Sequence, residues 1–306
     1  MAVEERPAPE PGEGELLVEV AAAGMNGADL LQRSGHYPPP PGVPEDIPGL
    51  ELAGTVVATG GATERFAPGD RVMSIVAGGG QAELAAVPDA TVVPVGASMS
   101  WAEAGGFAEV FTTAHDALFT QCGLVGGERL LVTGAAGGVG LAAVQLGRAV
   151  GAEVVASVRR PELRPEVAGF GATVVIDPSE VDEHGPYDVV IELVGAPGIP
   201  AALRSLALHG RIVVIGVGAG SRTEVDLRAI MGKRAVLRGS TLRSRTLEEK
   251  AEAARRVMHD VLPLVESGRV RVPIAATFEL GEAHDAYERF ASGGKLGKIV
   301  LEVRRS

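Results

Sequence analysis

Apolar and polar positions change rhythm once along this chain. Over roughly the first hundred residues the apolar positions fall in short runs cut by Gly and Pro, the pattern of strands joined by tight turns. Candidate strands are Glu15–Val20, Thr55–Ala58, Arg71–Val76, Ala82–Val87 and Thr91–Val95, with turns such as Pro68-Gly69-Asp70 between them. Tyr37–Gly49 carries four consecutive prolines, which exclude a regular helix or a central strand and predict an ordered loop, with a plain surface linker as the alternative. Ser100–Leu118 then predicts a helix, with Ser100 as N-cap and Glu103 completing a capping box.

From Arg129 onward, short apolar strands alternate with helices. The strands are Arg129–Thr133, Glu153–Ser157, Thr173–Ile176, Asp188–Glu192, Arg211–Ile215 and Ala235–Arg238; the helices are Val139–Val150, Glu162–Phe170 and one near Ile199–Leu208. Strands this apolar are covered on both faces, and alternation with helices gives a parallel, doubly wound sheet. Thr246–Ser267 reads as one long helix, followed by a strand at Ala275–Leu280, a helix from Glu282 and a strand at Gly297–Glu302. The tail is expected to rejoin the first domain. The α/β segment, residues 109–265, is thereby inserted into a β-rich domain made of residues 1–108 and 266–306.

A length of 306 residues suits two domains of ordinary size. The formal net charge of -11 argues against a nucleic-acid surface, which needs a basic stripe to neutralise phosphates. Cys122 is the single cysteine, so an intrachain disulfide and a multi-cysteine zinc site are excluded and a reducing compartment is expected. No apolar run is long enough to span a bilayer, and the opening MAVEERPAPEPGEG is polar and Pro-rich, so a cytoplasmic protein is expected. The histidines lack metal-like spacing, and G-x-S-x-G, H-E-x-x-H and P-loop motifs are absent.

Candidate chemistry concentrates in LLVTGAAGGVGLAAVQL, where the strand ending at Thr133 runs through Gly134, Ala135, Ala136, Gly137, Gly138, Val139 and Gly140 into a helix. In this strand–turn–helix setting Gly137 lets the backbone approach a pyrophosphate. Gly140 lets the helix pack on the strand, and the helix N-terminus supplies free amides. An NAD-preferring site places Asp or Glu at the tip of the next strand, but here the tip reads Ser157-Val158-Arg159-Arg160. A hydroxyl and two guanidiniums suit a 2′-phosphate and predict NADPH, against the alternative of a solvated arginine pair. Gly216 is added to this cofactor set.

Several segments together carry a family resemblance: Met25-Asn26-Gly27-Ala28-Asp29, Gln32–Tyr37, Pro48–Gly54, Pro68–Val72, Gly78–Ala82, Gly134–Gly140, Gly239–Arg245 and Gly297–Glu302. In this order they resemble the zinc-free, zeta-crystallin-like quinone oxidoreductases of the medium-chain dehydrogenase/reductase superfamily. Within these the subgroup induced by a tumour-suppressor protein in animals is the most similar. The resemblance implies a GroES-like catalytic domain, a Rossmann domain, a cleft between them, NADPH, a quinone acceptor and a homodimer. It implies that Asn26 orients the nicotinamide ribose or the substrate carbonyl and that Tyr37 meets the quinone; a local turn hydrogen bond and a capping aromatic are the respective alternatives. Glu109 and Thr241-Leu242-Arg243 become candidate nicotinamide and substrate contacts, with Leu242 and Lys298 counted in the cofactor set.

Zinc-using relatives carry Cys where this chain has Asn26 and His where it has Leu50, before Glu51, so no metal is expected. Departures are Leu163 and Pro178, where relatives often use Lys and Tyr near the 2′-phosphate. The family's opening strand pair also has no counterpart before the Pro11-Gly12-Glu13-Gly14 turn. Reduction of an α,β-unsaturated carbonyl, with Tyr37 as proton donor, is the alternative reaction. A non-catalytic NADPH-binding protein is a third reading.

Overall fold

The computed structural model describes residues 1–303. Two units make up the chain, one of residues 1–112 and 242–303, the other of Thr113–Thr241. In chain order the first unit supplies β1 (Glu15–Gly24), α1 (Gly27–Arg33), β2 (Glu51–Thr59), β3 (Arg71–Ile75), β4 (Leu84–Pro88), β5 (Val92–Pro94), α2 (Trp101–Gly105) and most of α3 (Ala108–His115). The second holds β6 (Arg129–Val132), α4 (Gly138–Ala149), β7 (Glu153–Ser157), α5 (Arg164–Gly169), β8 (Val174–Ile176), β9 (Tyr187–Glu192), α6 (Ile199–Arg204), β10 (Leu206–Val214), α7 (Leu227–Lys233) and β11 (Val236–Gly239). Then α8 (Leu247–Asp260), α9 (Leu262–Glu266), β12 (Ile274–Glu279), α10 (Ala283–Ala291) and β13 (Lys298–Glu302) return to the first unit.

In the first unit the sheet order is β12-β13-β1-β2-β3-β5, with β4 also on β1. β1 organises it. Its first half pairs with β4 and its last residues with β13, while β2 runs along its other side, all antiparallel. Alternation along β1 sends Leu16, Val18 and Val20 into a core shared with Leu52, Val56, Val72 and Val87. The tail joins as expected, because α10 buries Ala286 and Tyr287 against Met25, Ile299 and Leu301.

All neighbouring strands of the second unit are parallel, in the order β11-β10-β9-β6-β7-β8. Leu131, Val155, Ile176, Val190 and Ile212 fill one side of it. The order in which strands are added to the sheet reverses between β6 and β9, so the carboxyl ends of these two strands mark the switch point where such folds bind ligands.

Both long helices expected from the sequence are broken. Ser100 does cap α2, accepting from the Glu103 amide at 3.2 Å. The helix nevertheless stops at Gly106, restarts as α3 and continues as a π-helical segment at Asp116–Gln121. Close packing explains the stop: a Cβ on Gly105 would lie 2.7 Å from the Ala22 Cβ of β1. Thr246–Ser267 divides at Val261, just before Pro263, whose ring lacks an amide donor. This helix pair lies with the first unit, not the second as expected, and α8 packs beside β5. Near residue 205 the expected helix ends early and β10 begins, and α7 went unread because none of its residues is buried.

Gly105→Ala forces α2 away from β1 and is expected to destabilise the protein by about 1–3 kcal/mol. Thermal unfolding should report a lower midpoint; an unchanged midpoint shows that α2 can move freely.

Candidate functional site

Two groups of residues carry the chemistry, one in each unit. In the second unit Gly134 takes φ +59, the left-handed turn that leads off β6. A Cβ on Gly140 would lie 2.6 Å from the Ala135 Cα, so the tight helix–strand packing expected of this glycine is present. At Gly137 a Cβ would meet only the Gly134 oxygen, at 3.5 Å, so its absence keeps the space before the loop open. Two loop amides are internally committed: Ala135 donates to the Ser157 carbonyl at 3.2 Å and Gly137 to the Gly134 carbonyl at 3.1 Å. The amides of Gly138, Val139 and Gly140 head α4 without an i−4 helical acceptor, which leaves them for a phosphate.

Ser157 ends β7 buried, while Arg159 and Arg160 beyond it are exposed. Arg160 lies 3.6 Å from Glu162, an exposed and weak ion pair; Arg159 has no ion-pair or hydrogen-bond partner among the described residues. The side chains of this tip are therefore basic and largely uncommitted. Gly216 packs so tightly on Leu193 that a side chain would overlap its carbonyl.

Sequence reasoning missed Glu192, which ends β9 at the switch point and is fully buried. Its Oε1 accepts from Thr133 Oγ1 (2.9 Å) and from the amides of Val194 (2.7 Å) and Gly195 (2.8 Å), while Oε2 is buried without a partner. A carboxylate at the carboxyl end of a central strand was the available signal.

The first unit holds a buried ionic network. Lys298, 2% exposed, donates from Nζ to the Met25 carbonyl (2.6 Å), Asn26 Oδ1 (2.7 Å) and Glu51 Oε1 (2.6 Å). Its three protons are thus engaged, which corrects its expected role as a cofactor contact: a buried ammonium with three acceptors has no donor left. Asn26 Nδ2 donates to the same Glu51 oxygen at 2.9 Å, so both ends of this side chain are tied to residues remote in sequence; the local turn bond is only a long contact of Nδ2 with the Gly24 carbonyl, at 3.4 Å. Glu51 Oε2 accepts the Glu109 amide at 2.8 Å, placing a carboxylate on the first turn of α3. Asp29, also missed, is completely buried and accepts the Asn26 amide at 2.7 Å and the Gly49 amide at 3.2 Å. Burial pushes its carboxyl up to about 6, against the opposing pull of those amides and Lys298.

Tyr37 is half-buried on its Pro-rich loop, and the Arg243 guanidinium lies over its ring, 4.9 Å from the centroid. Arg243, 6% exposed, donates to the carbonyls of Ala77 (2.7 Å) and Tyr37 (2.9 Å) and to Gln32 Oε1 (2.6 Å). Burial raises the Tyr37 phenol and the Arg243 charge opposes that rise. Leu242 is buried in the same unit, Thr241 is exposed in the other, and the Glu109 side chain is half-buried.

Comparison with known proteins gives one consistent answer. Residues 138–259 match the family described as zinc-binding dehydrogenase, and residues 12–123 match the alcohol dehydrogenase GroES-like domain. Quinone oxidoreductase from Mus musculus is 32% identical, over 96% of this chain and 90% of its own. A mycobacterial protein solved as a complex with NADPH superposes with a TM-score of 0.87 at 28% identity, covering 98% of this chain and 95% of that one. An NAD-dependent alcohol dehydrogenase superposes at 0.85 with 25% identity, covering 99% and 96%. The zinc in the first family's description finds no fit here. Asn26 and Leu50 are not zinc ligands of the usual kind, Glu51 is held by Lys298, and no group of three His, Cys, Asp or Glu among the described residues could hold a metal ion.

Because folding raises the Asp29 carboxyl from 3.8 to about 6, the folded state binds the extra proton between these values. Its contribution to stability is full below pH ~4 and is lost as pH rises through ~6, a fall of about 3 kcal/mol. Unfolding of Asp29→Asn, followed from pH 4 to 7, should lack this slope, so the variant gains on the wild type as pH rises; parallel curves refute it.

Proposed function

The chain belongs to the medium-chain dehydrogenase/reductase superfamily, and on that premise we propose that it is an NADPH-dependent quinone oxidoreductase that works without zinc. An oxidoreductase with a nicotinamide cofactor is supported by relatives described as quinone oxidoreductases and by similar structures described as NAD-dependent or complexed with NADPH. The finer reading rests on one observation above others, the tip of β7. There Ser157 is followed by an unpaired Arg159 and a weakly paired Arg160, with no carboxylate to receive a ribose 2′-hydroxyl. Guanidiniums in that position favour a 2′-phosphate.

When bound, NADPH supplies a hydride from its reduced ring. The chain's residues position and bind. Gly138, Val139 and Gly140 offer amides to the pyrophosphate, Gly137 leaves room for it, and Arg159 with Arg160 takes the 2′-phosphate. Glu192 and Thr133 hold the Leu193–Gly195 turn at the switch point through the hydrogen bonds they share. Asn26, locked by Lys298 and Glu51, presents a fixed α1 N-terminus, and Tyr37 meets the acceptor. The quinone assignment draws its support from the curated relatives. Reduction of an enone is the second reading, favoured by a Tyr37 hydroxyl that no described residue accepts or supplies a hydrogen bond to.

A homodimer fits the outer edge of the second unit. All four residues of β11 are exposed at the sheet's edge, and Leu208, Leu227 and Met231 are exposed beside it or on α7. An unpaired apolar edge is a template for another strand, and a second copy would extend the sheet about a two-fold axis. No helix among the described residues is long and apolar enough to cross a membrane. A cytoplasmic location is part of the same reading, because the single cysteine is buried and free and the chain has no second one to pair with it.

Two expectations follow. NADPH oxidation should be rapid with 1,4-benzoquinone or 9,10-phenanthrenequinone and slow with 2-cyclohexenone. Arg159→Ala with Arg160→Ala should raise the KM for NADPH roughly tenfold or more while sparing turnover with NADH. Turnover confined to the enone shifts the assignment to the second reading, and equal use of both cofactors removes the role of the arginines. Met231→Glu with Leu237→Glu should convert a dimer to a monomer in light-scattering chromatography, and a monomeric wild type overturns the dimer.

A further inference from the structure

Three tyrosines are present, and two have their hydroxyls engaged inside the protein. Tyr187 donates to the Val181 carbonyl and Tyr287 to Gln81 Oε1, each at 2.9 Å. The Tyr37 phenol oxygen has no such partner among the described residues; the ring is held by its face and its backbone alone. The group holding it is unusual. A buried guanidinium is ordinarily met by a carboxylate, because an unpaired charge is costly to desolvate. The three hydrogen bonds of Arg243 instead end on neutral oxygens, those of Ala77, Tyr37 and Gln32. No carboxylate hydrogen-bonds to it, although the charges of Asp29 and Glu109 act on it from a distance, and Glu109, with Lys250 near it, acts on Tyr37 against the arginine. The guanidinium thus lies over the one phenol whose hydroxyl has no hydrogen-bond partner among the described residues.

We propose that Arg243 is a positioning residue for Tyr37: it fixes the ring through stacking and the Tyr37 carbonyl, and its positive charge over the ring favours the phenolate, fitting Tyr37 to give a proton to an acceptor oxygen. This rests on the quinone reading. Hydride transfer adds two electrons and one proton to the quinone and leaves a hydroquinonate. The Tyr37 O–H bond then breaks as the hydroquinone O–H bond forms, and the tyrosinate, held in the field of Arg243, regains a proton from water. NADPH is oxidised, the quinone has gained two electrons and two protons, and Tyr37 is restored.

The test is an alkaline titration of tyrosinate absorbance on the intact protein, which needs neither cofactor nor acceptor. Burial pushes Tyr187 up to about 12 and Tyr287 higher still. Tyr37 should therefore give the earliest phase, identified by its loss in Tyr37→Phe. Removing the charge in Arg243→Met should move that phase up by about one pH unit, whereas Arg243→Lys should leave it close to the wild type. A downward move means that the arginine merely packs the loop and shields the ring from water; no move means that it exerts no field. Either result overturns the proposal. If Arg243→Met does not fold, Arg243→Gln removes the same charge while keeping hydrogen-bonding capacity, and the same upward move is expected.

With a quinone, Arg243→Met should lower kcat roughly 10- to 100-fold with the KM for NADPH unchanged. The double variant with Tyr37→Phe should fall no further than the worse single one, and additive losses overturn the proposal. An upward titration shift without turnover of any quinone upholds the Arg243–Tyr37 coupling and refutes the quinone reading instead.

Discussion

The buried pair between Lys298 and Glu51 is the contact on which the first unit depends. The two residues stand 247 positions apart in sequence and meet at 2.6 Å with almost no solvent access. Around the one carboxylate gather the last strand, the turn into α1, the start of β2 and the first turn of α3. Such a pair adds little net stability over apolar replacements, since desolvating two charges offsets most of their attraction. Its effect is on uniqueness. With either partner missing, the other is left buried and unpaired, at about 3–5 kcal/mol, so competing arrangements of these segments are penalised heavily. The glycines follow from the same crowding: a side chain at Gly24 would overlap Glu51 and the Gly105 carbonyl.

A second buried carboxylate, Glu192, is met on one oxygen without a cation. Three donors on one oxygen, two of them backbone amides from the following turn, replace the ammonium. The contrast suits the places involved. Lys298 and Glu51 join segments remote in sequence, whereas Glu192 shapes the turn that grows out of its own strand. A carboxylate oxygen held by backbone donors keeps its turn fixed, as a loop beside a ligand must be.

Much of this was legible in the residues, for reasons that differ by region. The second unit's strands are apolar on both faces, so their existence and parallel pairing could be read from short-range pattern, and Glu153–Ser157 was placed to the residue. The glycine loop was equally legible because its constraints are local. Helix ends were not, since Gly105 terminates α2 through contact with β1, which local propensity does not encode. The role of Lys298 was misjudged, and the network that holds Asn26 went unread, for the same reason: their partner Glu51 lies far off in sequence, and a buried lysine looks like any other in one dimension. Arg243 was singled out only within a motif, while its stack on Tyr37 and its neutral acceptors emerged from the fold.

The interruption of one unit by the other gives the two different histories on the ribosome. Residues 113–241 emerge as one unbroken stretch, with neighbouring strands joined by short crossovers, and can collapse while the rest is still being translated. The surrounding unit cannot. Its central strand β1 is made before the whole inserted unit, yet its partner β13 is made only after it, and until then Glu51 has no ammonium to meet. The half-built sheet therefore keeps the end of β1, Ala22–Gly24, open until the inserted unit has been made.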